Sequence, residues 1–161
     1  MSWTYKGETV KELTDFPPNS FGFVYVITHK PTNKKYIGKK VLYYNKKHKI
    51  GKRELAALQG VVGRKPAYRM VVKESDWLTY YGSQKELKSL LAESKHNEFE
   101  RSIVKIVPNK KLLTYFETKY QMLYEVLEKP DEFFNDNILG KFYTKDFNEI
   151  NYEDPEEIRK H

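Results

Sequence analysis

The chain has 161 residues, 39% of them hydrophobic and 15% aromatic, which suits one domain with a buried core and argues against wholesale disorder. It has no cysteine, which excludes disulfides, thiolate metal sites and a cysteine nucleophile; its four histidines (His29, His48, His96, His161) lack metal-binding spacing, so oxygen atoms must hold any metal. Net charge is +7, no run approaches the roughly 18 apolar residues of a membrane helix, and residues 1–7 have no signal-peptide core, so a cytoplasmic protein is expected.

The first twenty residues, with Trp3-Thr4-Tyr5 and Pro17-Pro18, read as an appended strand or arm, because Trp3 and Tyr5 need cover. Residues 21–28 and 35–41 are two strand-like runs around the turn-forming His29-Lys30-Pro31-Thr32-Asn33, which predicts a β-hairpin. Centred on Lys30 and Pro31, that hairpin sets Tyr25 opposite Tyr36 on one face, with Cβ atoms within about 5.5 Å. A bulge or a one-residue slip separates them. Gly22 and Gly38 leave nearby backbone free of side chains, which gives a phosphate chain room to approach. Cross-strand aromatics are also ordinary sheet packing, so the pair alone does not decide between packing and chemistry.

Charge is unevenly placed: residues 30–76 carry fourteen Lys or Arg against three acids, and residues 127–161 carry five against ten. Lys39, Lys40, Lys46, Lys47, Lys52, Arg53, Arg64, Lys65 and Arg69 alternate with aromatics and glycines. A surface that follows a nucleic-acid backbone has this composition and binds more weakly as salt rises. A solvated loop has it too, and charge does not tell DNA from RNA.

Further along, Ser83-Gln84-Lys85-Glu86 reads as a capping box opening a helix with Leu87, Leu90 and Leu91 on its apolar face. Residues 99–107 hold a third strand, stopped by Pro108, and Asn109 caps a second helix over about residues 110–128. Its stripe Leu113, Phe116, Tyr120, Leu123 and Leu127 faces the core, with Glu117 at the edge. The tail from Asn148 reads as a short closing helix or a mobile end. The expected fold is α+β: a small, mostly antiparallel three-stranded sheet flanked by helices, within one domain of core residues 20–140, basic insertion 43–75, arm 1–19 and acidic tail 141–161.

With Phe23-Val24-Tyr25 standing for the first triplet and Tyr36-Ile37-Gly38 matching the second, the chain resembles the GIY-YIG nucleases over about residues 20–140. It is most similar to free-standing, phage-encoded, homing-type members, which share Tyr-Ile-Gly-Lys-Lys and the later Trp77-Leu78-Thr79-Tyr80-Tyr81-Gly82-Ser83. The resemblance implies a divalent-metal-dependent endonuclease that cleaves a DNA phosphodiester by attack of water, as a monomer or homodimer. By the same resemblance Tyr25 is the general base, Tyr36 positions water or phosphate, Glu117 holds Mg²⁺ or Mn²⁺, and Lys35 is a candidate proton acceptor. Asn137 supplies the family's closing asparagine, with Asn135 as the alternative.

One departure stands out. The family's arginine, about ten residues past the second tyrosine, is Lys46 here, and Lys40, Lys46, Arg53, Arg64 or Arg69 is left to supply the charge. Lysine lacks arginine's bidentate geometry, so the change is not neutral. A catalytically silent nucleic-acid-binding protein on the same scaffold is the other reading of that departure.

Overall fold

A computed structural model of the chain describes residues 1–57, 63, 67–93, 96–148 and 150. Strands β1 (Trp3–Tyr5), β2 (Glu8–Val10), β3 (Gly22–His29) and β4 (Lys34–Val41) come first, followed by an excursion of β5 (Tyr43–Lys49), helix α1 (Lys52–Ala57) and β6 (Tyr68–Glu74). Then come α2 (Lys85–Glu93), β7 (Phe99–Val107), α3 (Lys110–Leu123) and a two-residue pair, β8 (Asn137–Ile138) and β9 (Phe142–Tyr143). The class is α+β, but the main sheet has five strands in the order β2-β1-β7-β3-β4 and is mixed, because β1 runs parallel to β7. The three-stranded expectation falls short because the N-terminal segment, read as an appended strand or arm, joins the sheet as two strands. Trp3 drives that addition: it is fully buried, its ring meets those of Phe23 and Tyr25 at 5.0 and 5.2 Å, and its indole N–H donates to the Trp77 carbonyl.

The β3–β4 hairpin forms in a register shifted by two residues from the expected one: Tyr25 faces Gly38, and Tyr36 faces Ile27. The tight turn lies one position later than Lys30-Pro31, with Asn33 at φ 59° donating its N–H to the His29 carbonyl. A shift of two keeps every side chain on its face. The tyrosines therefore remain neighbours, diagonally placed, with ring centroids 6.2 Å apart. Gly38 is bare for packing: a Cβ there would lie 2.5 Å from the Tyr25 hydroxyl and 2.8 Å from Tyr36 Cε1. Gly22 likewise makes room for Leu113 and the Lys40 carbonyl. Neither glycine opens backbone to a ligand, contrary to the expectation from sequence.

Alternation along β3 splits the core in two. Phe23, Tyr25 and Ile27 pack with Trp3, Trp77 and Leu87 of α2 on one face, whereas Val24 packs with Ile37, Leu113 of α3 and Leu127 on the other. Asn109 caps α3 by accepting the Leu112 N–H at 2.8 Å. That helix ends at Leu123, short of the expected residue 128, and Glu125 takes φ 57° in the turn that follows. The turn buries Val126 and Leu127 and leaves Leu123 exposed, so Leu123 is not a core residue. At α2 the cap is Gln84, whose side chain accepts the Leu87 N–H at 2.7 Å, because Ser83 is turned toward Tyr36.

Candidate active site

β4 is an edge strand, and what covers that edge positions the site. Residues 132–135 run beside it: Lys35 N–H donates to the Glu132 carbonyl, and Phe134 N–H to the Lys35 carbonyl. Asn135 then takes over with its side chain, accepting the Ile37 N–H at 3.0 Å and donating to the Ile37 carbonyl at 2.8 Å, which Gln121 also reaches at 3.0 Å. Past Ile37 a cleft of roughly 560 Å³ opens, lined by Tyr36, Lys39, Ser83, Gln84, Lys85, Glu117, Gln121, Asn135, Asp136, Asn137, Leu139 and Gly140. Tyr36 enters it from the α2 face and Lys39 from the α3 face, so the cleft gathers side chains from both sides of the sheet.

Glu117 projects from α3, its side chain 15% exposed, with the Lys39 ammonium 3.7 Å from its Oε1. Lys39 is held in turn by Thr114, one helical turn before Glu117, at 3.1 Å. Burial pushes the Glu117 carboxyl up, opposed by the Lys39 ammonium and backbone amide. A carboxylate under that penalty gains from a second cation nearby.

The phenols differ. Tyr36 is half-buried at the cleft wall, and burial raises it to about 12 against a hydrogen bond from Ser83. Tyr25 is 1% exposed and lies outside the cleft lining, beneath Tyr36 and Tyr80; burial holds its phenol well above the ordinary value, reinforced by Tyr36 and by a hydrogen bond with Tyr80. The segment of residues 77–83 forms this cover. Gly82, at φ 90°, lets the chain pass close over the Tyr36 ring.

The cations expected at the site are dispersed. Lys35 bonds the Asn33 side chain at 2.8 Å and lies on the face opposite Tyr25, so it does not meet that phenol. Lys40 pairs with Asp76 and sits 3.9 Å over the Tyr80 ring. Lys46, Lys47, Lys52, Arg53 and Arg69 are exposed on the β5–α1–β6 excursion, away from the cleft lining, while Arg64 and Lys65 lie outside the described residues. Lys39, expected only as a nucleic-acid contact, is the cation beside Glu117. Alternation along β4 puts Lys39 on the face of Ile37, but only the packing of α3 on that face sets Lys39 apart from the other strand lysines. The places of Tyr80 over Tyr25 and of Ser83 at the cleft are not foreseen from the sequence, where Tyr80 reads only as a subgroup marker and Ser83 as that and as a helix cap. Of the two asparagines, Asn135 is buried and ties down β4, whereas Asn137 lines the cleft and accepts the Gly140 N–H in a surface turn.

The family model described as "Putative endonuclease segE, GIY-YIG domain" matches residues 3–138. The chain belongs to the GIY-YIG family. The match starts at Trp3, so this GIY-YIG domain includes the N-terminal strands that complete its sheet. Neither the curated proteins nor the solved structures gave a significant match. No helix among the described residues of the GIY-YIG domain is long and apolar enough to cross a membrane.

Mg²⁺ or Mn²⁺, which the family implies, is compatible with this donor set. Among the described residues no cluster of three His, Asp or Glu exists to cage an ion. Mg²⁺ keeps several waters and is commonly bound by one or two carboxylates plus substrate phosphate. Glu117 and Asp136, both lining the cleft, suit that mode.

Proposed function

We propose that the chain is a divalent-metal-dependent endonuclease that hydrolyses a DNA phosphodiester in the cleft at the β4 edge. The observation that carries this reading is the meeting of Tyr36, Lys39 and Glu117 in one opening, in a chain of an endonuclease family. Glu117 would hold the metal, which when bound supplies Lewis-acid stabilisation of charge on the phosphate and the departing oxygen. Lys39 places a fixed positive charge beside that carboxylate and neutralises a non-bridging phosphate oxygen, the task the family gives to arginine. Tyr36 orients the attacking water by hydrogen bonding from the cleft wall. With its phenol raised to about 12 it enters as the neutral group, which orients the water without taking its proton, and that proton leaves to solvent through the open cleft. Tyr25, closed beneath it, acts by holding the Tyr36 ring and the Tyr80 cover in place rather than by touching water. Asn135 keeps Ile37, and with it the flanking Tyr36 and Lys39, at a set height in the cleft.

Nicking of supercoiled plasmid in Mg²⁺ or Mn²⁺ tests this. The wild type nicks and is stopped by a chelator, and Tyr36→Phe and Lys39→Met each slow nicking by about 100-fold or more, the scale of losing one preorganised electrostatic contact. Undiminished cleavage by both variants would remove the site from the cleft. A pure wild-type protein that cuts no DNA or RNA would favour the binding-only reading.

A further inference from the structure

The β5–β6 excursion is a ribbon of two seven-residue antiparallel strands that belongs to neither core, apart from its root. The root is fixed: Tyr43 packs on the main core, Ser75 N–H donates to the Leu42 carbonyl at 2.8 Å, and the Trp77 indole donates to Glu74 at 2.9 Å. Its pairing register sorts its side chains into two faces. One face is engaged, with Arg69 paired to Glu54 of α1 at 3.4 Å and Val71 half-buried. The other is engaged only at the root, by Tyr43 and Glu74; beyond the root Asn45, Lys47 and Lys49 stand opposite Val72, Met70 and Tyr68, and all six are exposed. The three apolar members expose 65%, 59% and 55% of their surface to water.

We propose that this open face enters the major groove of duplex DNA. The dimensions agree: a two-stranded ribbon, its strands about 5 Å apart and each about 23 Å long at seven residues, fits a groove about 12 Å wide. Charge agrees as well, because the described parts of β5, α1 and β6 carry seven Lys or Arg against two Glu. Chemistry selects the face: an asparagine and lysines can pair with the edges of adenine and guanine, and the apolar row opposite can pack on thymine methyl groups. The engaged face, with Lys46 and Lys73, is left to follow phosphates along the groove walls. A duplex of RNA is excluded by the same geometry, since its major groove is deep and narrow.

The inference rests on DNA being the substrate, and its test does not require cleavage. Full-length protein is titrated in chelator, by fluorescence anisotropy, onto a short DNA duplex, the same duplex with bulky glucosyl groups in its major groove, and an RNA duplex of equal length. The unmodified DNA duplex binds at least about ten-fold tighter than the other two, netropsin in the minor groove does not compete, and Lys46→Ala/Lys73→Ala lowers the slope of log affinity against log salt by about two. Met70→Ser, which leaves charge alone, weakens binding to the unmodified duplex more than to the glucosylated one. Equal affinity for blocked and unblocked DNA, displacement by netropsin, an unchanged salt slope, or no DNA binding would each overturn it. If the ribbon binds as described and the wild type cuts nothing, the nuclease reading fails and this one stands.

Discussion

At Gly38 the packing of the sheet, and with it the chemistry proposed for the cleft, depends on one missing methyl group. A Cβ there would meet the Tyr25 hydroxyl at 2.5 Å and the Tyr36 ring at 2.8 Å, and both phenols would have to move. Gly38→Ala should cost about 2 kcal/mol by overpacking, read from urea unfolding, and should lower nicking more than that stability loss explains. Tyr36 makes a second prediction. Its folded-state pKa, about 12, lies above the unfolded value near 10, so the unfolded chain releases its proton first. The stability this confers is complete below pH 10 and disappears as pH climbs through about 12. The melting temperature of the wild type should therefore fall more steeply over that window than that of Tyr36→Phe. Parallel curves would mean that Tyr36 titrates as an ordinary phenol.

Among the elements, β4 decides where the site lies, through the way its edge is covered. Asn135→Ala would leave the buried Ile37 N–H unpaired and remove one of two donors to its carbonyl, at a cost of about 1–3 kcal/mol. Asn137→Ala, which loses a turn contact at the surface, should cost well under 1 kcal/mol by the usual range for exposed positions. Urea titrations of the two variants side by side check the order. Alternation and breakers made these elements legible: the hairpin, the strand before Pro108 and the helix capped by Asn109 all follow from local rules. The register did not, since a two-residue shift preserves the hydrophobic pattern and only the turn chooses between them. Nor did the choice of Lys39 over Lys40 and Lys46, because strand lysines look alike until a helix such as α3 places a carboxylate beside one of them.

On the scale of the molecule, the sheet is completed by residues whose sequence reads as an appended strand or arm. Parallel pairing of β1 with β7 joins residues about a hundred positions apart, a contact no local pattern announces, although the apolar demand of Trp3 hinted at it. Because Trp3 lies against Tyr25 and Phe23, Trp3→Ala should cost about 3–5 kcal/mol by urea unfolding and should also loosen the floor of the site. In the proposed function a cleft at the sheet edge, organised around Glu117, cuts DNA. Single-turnover cleavage of duplex DNA in saturating Mg²⁺ by wild type and Glu117→Ala, with matched circular dichroism spectra, tests it most directly. A fall of about 100-fold or more in the variant is the predicted result. Equal rates would contradict the account.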